Sequence, residues 1–202
     1  MPQPAVFPQG DELIPGSVSV PLRIRLADPE RDAAGIAAIY APGVERSSAT
    51  FEEVAPSPGD MADRIRRTLE RTPWLVAEED EPAGVVGYAY AALHGERAGY
   101  RWSVDISAYV RADRRGRRIG RALYEVLLPM LQRQRFVNVY AGIALPNPAS
   151  VALHEAIGMR RIGVYEGVGF KFGAWHDVAW YGLRMAEPGL PLAEPVPLPE
   201  LL

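Results

Sequence analysis

The chain has 202 residues, 48% of them hydrophobic, and a formal net charge of −3, which is enough apolar material for one well-buried domain. It has no cysteine, which excludes a disulfide framework, a cysteine nucleophile and a thiolate metal site. Its three histidines, His94, His154 and His176, are scattered without ligand spacing, so we expect no bound metal.

The distribution of apolar and charged residues also limits the partners. No apolar run approaches the roughly 18 residues of a membrane span, and the first residues lack the charged segment and apolar core of a signal peptide. We therefore expect a cytoplasmic protein with no membrane partner. A general nucleic-acid binder would more often be basic overall, so we expect no nucleic-acid partner either.

Prolines divide the chain into three parts. Residues 1–20 carry four prolines without sustained periodicity, which predicts an irregular N-terminal arm. Residues 187–202 carry five and predict an extended C-terminal tail, whose leucines could dock on the domain or on a partner subunit. Residues 21–186 show no internal repeat and predict one domain.

The first half of this domain alternates between strand and helix signals. Residues 22–26 alternate apolar and basic side chains, which predicts a strand, and Asp28-Pro29-Glu30 opens a helix that should end near Tyr40. Residues 41–58 are loop-like, and Ser57-Pro58-Gly59-Asp60 opens a second helix to about Arg71. Strands are predicted at 74–78 and at 84–92, the latter rich in Val and Tyr.

In the second half, a strand at 103–110 leads through an arginine-rich turn into a helix at 121–134. A strand at 136–140 precedes a short helix that begins after Asn147 and ends near Ile157, before Gly158. Late strands are predicted at 160–165 and 176–185. The order β-α-α-β-β-β-α-β-α-β-β predicts an α/β protein with a mixed sheet between helices.

The turn before the 121–134 helix has the composition of a polyphosphate site. The first N–H groups of a helix lack intrahelical partners and carry partial positive charge, and glycine lets the backbone approach a phosphate closely. The alternative is a solvated basic helix start. The spacing fits neither a P-loop nor a dinucleotide fingerprint. The turn contains six arginines, at positions 111, 114, 115, 117, 118 and 121, and two glycines, at 116 and 120.

The same turn resembles the coenzyme A signature of the GNAT acetyltransferases, (Gln/Arg)-x-x-Gly-x-(Gly/Ala), at residues 115–122. Gly120 fills the last position, and Arg118 replaces the first signature glycine. Residues 147–159 resemble the GNAT segment Asn-x-x-Ser-x-x-Leu-(Tyr/His)-Glu-x-x-Gly-(Phe/Tyr), and the predicted element order matches as well. The resemblance implies the GNAT acyltransferase fold, a mixed and mostly antiparallel central sheet flanked by helices, with acetyl-CoA as co-substrate.

Four further segments resemble the phosphinothricin N-acetyltransferase group, which includes acetyltransferases of methionine sulfoximine and methionine sulfone. They are residues 74–78, 100–103, 145–147 and 169–178. The resemblance covers about residues 22–186. It implies a small-molecule amine as substrate and a homodimer as the assembly.

Two residues are candidate catalytic groups. Asp105 lies among apolar neighbours in the 103–110 strand, and such a carboxylate should have a raised pKa, which suits a general base. The resemblance places the group's catalytic glutamate on Asp105, one methylene shorter, and its active-site histidine on His154. His154 could protonate the leaving thiolate, as a tyrosine does there in many GNAT enzymes, or share the base role. The alternatives are a strand carboxylate paired with an arginine and an ordinary helix histidine.

The resemblance also implies two sets of binding residues. Substrate contacts fall on Phe51, Arg97 and Tyr100, and Arg97 could grip a carboxylate with two hydrogen bonds or be an ordinary surface arginine. Coenzyme A contacts fall on backbone atoms of the 103–110 strand, on the turn and on the later helix start: Ala108, Tyr109, Val110, Arg115, Gly116, Arg117, Arg118, Ile119, Gly120, Arg121 and Asn147.

Three functions are compatible with these motifs. The first is acetylation of an amino-acid-type amine by direct attack on acetyl-CoA in a ternary complex. The second keeps the fold and the co-substrate but acetylates another amine, such as a protein N-terminus or a polyamine. The third is an RNA-binding or regulatory module using the arginine cluster, which the acidic chain and the lack of interleaved aromatic residues disfavour.

Overall fold

The computed structural model describes residues 22–80, 83–187 and 193–202; the arm predicted for residues 1–20 lies outside this part of the chain. The elements follow the order predicted from the sequence. The described strands are β1 (Leu22–Leu26), β2 (Trp74–Asp80), β3 (Ala83–Leu93), β4 (Ser103–Val110), β5 (Asn138–Ala144), β6 (Arg160–Lys171) and β7 (Ala174–Arg184). The described helices are α1 (Pro29–Arg46), α2 (Pro58–Leu69), α3 (Ile119–Arg133) and α4 (Pro148–Ala156).

The strands form one mixed sheet in the order β1-β2-β3-β4-β5-β7-β6. All neighbouring pairs are antiparallel except β4 and β5, which run parallel. Their ladder covers Ser103, Val104 and Asp105 of β4, although β4 continues to Val110. The two strands therefore stop pairing beyond Asp105, which leaves an opening in the middle of the sheet.

The sheet has an apolar core on each face. On one face, here called the α3 face, Leu75 and Ile106 of the sheet pack with Leu123 of α3. On the opposite face, the α1–α2 face, Val76 and Tyr88 pack with residues of α1 and α2. Because successive residues of a strand point to opposite faces, each position in β4 can be assigned to one of these two environments.

The first helix is longer than the sequence predicts. α1 ends at Arg46 instead of near Tyr40, and it contains Pro42. Its buried side chains keep helical spacing across the proline, through Tyr40 to Val44. Burial of this face outweighs the backbone hydrogen bond that Pro42 cannot donate. The predicted loop at 41–58 is consequently confined to residues 47–57.

The last two strands are also longer than predicted, and they form one hairpin. The predicted strands at 160–165 and 176–185 are parts of β6 and β7, which extend to Lys171 and from Ala174. The pairing shifts register twice, between Arg161 and Gly163 and between Tyr165 and Gly169. Glycines in a strand commonly mark such bulges, and Gly163, Gly167 and Gly169 lie at or between these shifts.

The described C-terminal residues, 193–202, dock on the domain. The backbone of Val196 exchanges hydrogen bonds with Gln134, whose C=O accepts at 2.9 Å and whose side chain donates at 2.8 Å. The N–H of Leu198 donates to the C=O of Arg71 at 3.1 Å, and its side chain is buried. Of the helices that the structure describes, none combines the length and apolar character needed to cross a membrane.

Candidate active site

β4 presents free backbone groups to the opening beside β5. The N–H of Arg111 donates to the C=O of Val86, and the C=O of Ser103 accepts from the N–H of His94. Odd-numbered residues of β4 therefore turn their backbone groups towards β3, and even-numbered residues turn theirs towards β5. Since the ladder with β5 ends at Asp105, the N–H and C=O groups of Ala108 and Val110 face the opening.

Tyr109 is oriented differently from its two neighbours. By the same alternation, its backbone groups face β3. Its ring lies on the α1–α2 face, with centroids 5.1 Å from Tyr40 and 5.2 Å from Tyr88. Of the three backbone contacts expected in β4, the structure thus brings Ala108 and Val110 to the opening but not Tyr109.

α3 begins with unsatisfied backbone donors. Among the described residues no side chain caps its N-terminus, and its first backbone bond runs from the N–H of Ala122 to the C=O of Arg118. The N–H groups of Ile119, Gly120 and Arg121 therefore have no acceptor within the helix. Such a helix start attracts anions through its free N–H groups and its dipole.

Two residues of the turn before α3 adopt left-handed backbone angles. Gly116 has φ +79° and Arg118 has φ +61°. Glycine adopts this conformation freely, whereas another residue is destabilised by about 1 kcal/mol. Arg118 stands where the coenzyme A signature has its first glycine, and it takes the backbone conformation that favours glycine.

We expect Arg118→Gly to leave the free energy of unfolding unchanged or to raise it by up to about 1 kcal/mol, because the strain at φ +61° is removed. The neighbouring exposed Arg117, which is not among the positive-φ residues, is the matched control. Arg117→Gly should lower stability by about 0.5 kcal/mol through backbone entropy. Urea denaturation measures both, and equal destabilisation by the two variants would contradict the strain at Arg118.

The six arginines of the turn divide into two sets of three. One set forms ion pairs within the domain: Arg111 with Asp113, Arg114 with the buried Glu79, and Arg121 with Glu125. The other set is exposed and forms no ion pair among the described residues: Arg115, Arg117 and Arg118. The positive charge that remains available to an external anion is thus concentrated immediately before α3.

Two predicted binding residues also have structural roles, and for Asn147 the sequence predicts this role as the cap of the short helix. A Cβ atom on Gly120 would lie 3.0 Å from Leu153 of α4, so the missing side chain lets α3 and α4 approach closely. Asn147 is the N-cap of α4, and its side-chain oxygen accepts a hydrogen bond from the N–H of Ser150 at 3.2 Å. Both residues help to fix the helices on either side of the opening.

His154 is buried, and both of its ring nitrogens are engaged. Nδ1 lies 2.7 Å from the C=O of Ser150, and Nε2 lies 3.1 Å from the hydroxyl of Tyr124 in α3. Because a carbonyl only accepts, we assign the proton to Nδ1, and Nε2 then accepts from Tyr124. Burial lowers the pKa of His154. The structure therefore places a neutral histidine on the α3 face.

Asp105 lies on the opposite face, beside His94, which no motif in the sequence marks. Asp105 lies four residues before Tyr109 in β4 and therefore on the same α1–α2 face, and its Oδ1 lies 2.7 Å from Nδ1 of His94. Burial raises the pKa of Asp105, and the hydrogen bond from His94 opposes this effect. The side chains are 34% and 30% exposed, so the pair is reachable from solvent.

The register of the β3–β4 hairpin explains this pair. His94 is bonded to Ser103 through the backbone, and Asp105 is two residues further along β4, at the diagonal position on the same face. Asp105 lies in the predicted strand at 103–110, and His94 lies two residues after the predicted strand at 84–92. Their contact can therefore be predicted only when the register of the two strands is known.

The three predicted substrate residues occupy two regions, one of which adjoins this pair. The ring of Tyr100 meets the ring of His94 edge-on at 5.9 Å, and Arg97 is exposed in the same loop. Phe51 lies in the loop after α1 and packs on Gly169 of β6, where a Cβ atom would collide with its ring. Lys171 fixes the loop by donating to the C=O of Thr50 at 2.8 Å.

A cavity of about 250 Å³ lies on the α1–α2 face. Tyr90 pairs with Ser107, two residues from Asp105 along β4, so the cavity adjoins the site. The cavity is lined by Tyr40, Met61, Arg64, Arg67, Thr68, Trp74, Tyr88 and Tyr90.

Among the described residues, no group of three or more His, Cys, Asp or Glu side chains is arranged to hold a metal ion.

Comparison with known proteins agrees with this geometry. The chain matches the family model of the acetyltransferase (GNAT) domain over residues 24–180. It is 37% identical over 172 residues to a phosphinothricin N-acetyltransferase of Streptomyces viridochromogenes, covering 85% of this chain and 92% of that protein. It is 34% identical over 158 residues to an L-methionine sulfoximine/L-methionine sulfone acetyltransferase of Pseudomonas aeruginosa, covering 76% and 90% of the two chains.

The fold comparison gives the same result. The structure is similar to that of a GNAT superfamily phosphinothricin acetyltransferase from Sinorhizobium meliloti in complex with AcCoA, with a TM-score of 0.78 and 33% identity. The match covers 85% of this chain and 95% of that one. The mixed, mostly antiparallel sheet predicted from the sequence is confirmed, and the chain belongs to the GNAT family of acetyl-CoA-dependent N-acyltransferases.

Proposed function

We propose that this protein transfers the acetyl group of acetyl-CoA to the amino group of a small amino-acid-like substrate of the phosphinothricin or methionine sulfoximine type. The observation that carries the proposal is the arrangement along β4. A carboxylate with a raised pKa, Asp105, lies where the pairing with β5 ends, and free backbone groups follow at Ala108 and Val110. The two relatives named for such substrates support the substrate class.

The residues around the opening fit acetyl-CoA. The free N–H groups at 119–121 and the guanidinium groups of Arg115, Arg117 and Arg118 would hold its diphosphate, with Gly116 allowing close approach of the backbone. Ala108 and Val110 would hold its pantetheine arm through β4, and Asn147 lies at the start of the facing helix. The bound co-substrate supplies an activated acetyl thioester.

The chain's own residues would then prepare the amine and position the carbonyl. The amine arrives as an ammonium ion, and Asp105, directly or through a water, accepts the proton that it must lose before it can attack. The backbone N–H groups of Ala108 and Val110 would polarise the acetyl carbonyl. Holding both reactants in one ternary complex allows direct attack and supplies much of the rate by proximity.

His154 is proposed as the source of the proton for the departing thiolate. Its Nδ1 proton is directed at Ser150 and its Nε2 accepts from the hydroxyl of Tyr124, so Nε2 must take up a proton from solvent before the ring can protonate the thiolate. Arg97 is proposed to bind the carboxylate of the substrate by two parallel hydrogen bonds. Tyr100 and Phe51 are proposed to bound the rest of the substrate.

A thiol-release assay with a panel of amines tests the proposed function. Methionine sulfone, methionine sulfoximine and phosphinothricin are compared with polyamines and with peptides carrying free N-termini. We expect kcat/KM to be highest for an amino-acid-type acceptor. Preference for a polyamine or a peptide would overturn the substrate class, and absence of saturable acetyl-CoA binding by calorimetry would overturn the enzyme assignment.

The β6–β7 hairpin supports a homodimer, which we also propose. β6 is at the edge of the sheet, and a patch of large apolar side chains on the hairpin is exposed; such edges and patches are usually covered in solution. The patch consists of Ile162, Tyr165, Val168, Phe170, Phe172 and Trp175.

We expect the double variant Phe170→Glu, Trp175→Glu to be monomeric, because two carboxylates would be buried against apolar side chains of a second copy. Analytical ultracentrifugation should give the mass of a dimer for the unchanged protein and of a monomer for the variant. Leu202→Glu is the matched control, since Leu202 is exposed and outside the hairpin. A monomeric unchanged protein would contradict the proposed dimer.

A further inference from the structure

His94 has the geometry of a proton acceptor that is held in place by Asp105. Its Nδ1 lies 2.7 Å from Oδ1 of Asp105, and an ionised carboxylate only accepts hydrogen bonds. The hydrogen of the neutral ring is therefore on Nδ1, and the lone pair of Nε2 points away from Asp105. Among the described residues, no hydrogen-bond partner of this Nε2 is present.

The ring of His94 is also fixed in orientation by aromatic neighbours from three other elements. Its centroid lies 4.6 Å from Tyr140 of β5 and 5.9 Å from Trp180 of β7. Tyr100, in the short 3₁₀ turn Ala98–Tyr100, meets it edge-on at 5.9 Å. The titratable groups facing the ring are thus Asp105, Tyr100 and Tyr140, and Asp105 is the one that is hydrogen-bonded to it.

The position of the pair relative to the opening gives His94 a function. Asp105 is the last residue of β4 that pairs with β5, opposite Tyr140. The His94–Asp105 pair therefore lies at the start of the opening between β4 and β5, which the thioester would enter. Asp105 has a short side chain and its Oδ1 is engaged by the imidazole. The backbone of His94 lies opposite Ser103, but its ring lies beside Tyr100, one of the proposed substrate contacts, and beside Trp180. Trp180 pairs with Gly142 of β5, beyond the last residue of β5 that pairs with β4.

We infer that His94 is a catalytic residue that takes the proton from the acceptor ammonium at Nε2, while Asp105 acts through it by fixing the tautomer and stabilising the imidazolium. The inference rests on the proposed function. The proton moves from the ammonium nitrogen to Nε2, and the freed lone pair forms the amide bond to the acetyl carbon. The nitrogen loses its second proton as the carbon–sulfur bond breaks, the thiolate takes up one proton in exchange, and His94 returns the first proton to solvent.

Two substitutions at His94 separate a base from a structural support. His94→Asn keeps a side-chain N–H that can donate to Asp105 but removes the basic nitrogen, whereas His94→Ala removes both. If Nε2 is the acceptor, both variants lose on the order of 10²-fold or more in kcat, in keeping with general-base catalysis. If His94 only positions Asp105, His94→Asn retains the activity of the unchanged protein within a few-fold.

The basicity of the acceptor provides a readout that a structural role would not move. A hydrazide is largely unprotonated at neutral pH and needs little help to lose a proton, so the loss on His94→Asn should shrink at least tenfold with such an acceptor. Melting temperatures of the variants confirm that they fold.

The outcomes distinguish this inference from the function on which it rests. Activity of the unchanged protein with an amino-acid acceptor, together with a large and acceptor-dependent loss in His94→Asn, supports the inference. If the unchanged protein is active and His94→Asn keeps that activity, the inference is overturned and the proposed function stands. Absence of acetyl transfer to any amine by the unchanged protein overturns both.

Discussion

Replacing Asp105 with asparagine is expected to lower kcat on the order of 10²- to 10³-fold, the usual contribution of general-base catalysis. The carboxamide can neither accept a proton nor stabilise the imidazolium of His94, and it would also donate to Nδ1 of His94 and so place the ring hydrogen on the wrong nitrogen. Because Asp105 lies outside the α3 turn, the affinity for acetyl-CoA should change by less than about threefold. Steady-state kinetics and calorimetry measure the two effects separately.

Asp80→Asn is the matched control for this variant. Asp80 is exposed at the end of β2, so the same change of charge and size should leave kcat unaltered. An unchanged rate in Asp105→Asn would remove Asp105 from the mechanism. A loss confined to acetyl-CoA affinity would instead give Asp105 a role in binding.

The pH dependence of the reaction should reflect the same residue. Asp105 must be ionised to act, so kcat/KM falls as the pH drops through the pKa of the interacting pair with His94. Burial raises the pKa of Asp105 above its ordinary value of 3.8. The acid limb should consequently lie at a higher pH than an exposed aspartate would give. The burial that raises the pKa of Asp105 also makes its carboxylate a stronger base.

Replacing the three unpaired arginines before α3 with glutamine is expected to weaken acetyl-CoA binding about tenfold to hundredfold, which corresponds to roughly 1.4–2.8 kcal/mol. Arg115, Arg117 and Arg118 are exposed, so their attraction for a diphosphate is screened and each contributes modestly. At saturating acetyl-CoA, kcat should change little, because the reacting groups on the α1–α2 face are untouched. Calorimetry at two ionic strengths should show a steeper salt dependence for the unchanged protein.

A second triple variant controls for the loss of three charges. Arg46, Arg71 and Arg133 are exposed and lie outside the turn, and their replacement by glutamine should leave acetyl-CoA affinity within about twofold. Equal weakening in both triple variants would indicate a nonspecific charge effect. Unaltered affinity in the first variant would contradict the assignment of the diphosphate to this turn.

The fold was predictable because its signals are local. The alternating residues at 22–26, the N-cap at Asp28 and the turn before α3 each specify an element within a few residues, and the order of elements is confirmed. The errors arose where packing overrides a local signal. Burial of Val44 extends α1 across Pro42, and pairing with β7 makes a strand of the glycine-rich part of β6.

The site was predictable where a motif marks it and not where distant segments meet. The turn at 115–121 follows from the spacing of glycine and arginine. The contact between His94 and Asp105 depends on the register of β3 and β4, and the contact between His154 and Tyr124 depends on how α4 docks on α3. The direction of the Tyr109 backbone groups could not be predicted either, because it depends on which residues of β4 form hydrogen bonds with β3.

A crystal structure with acetyl-CoA bound tests the central claim most directly. The diphosphate should lie within hydrogen-bond distance of the N–H groups of Ile119, Gly120 and Arg121, with the thioester between β4 and β5 beside Asp105. A diphosphate bound elsewhere, with no contact to the turn before α3, would contradict the assignment of the co-substrate site and the mechanism built on it.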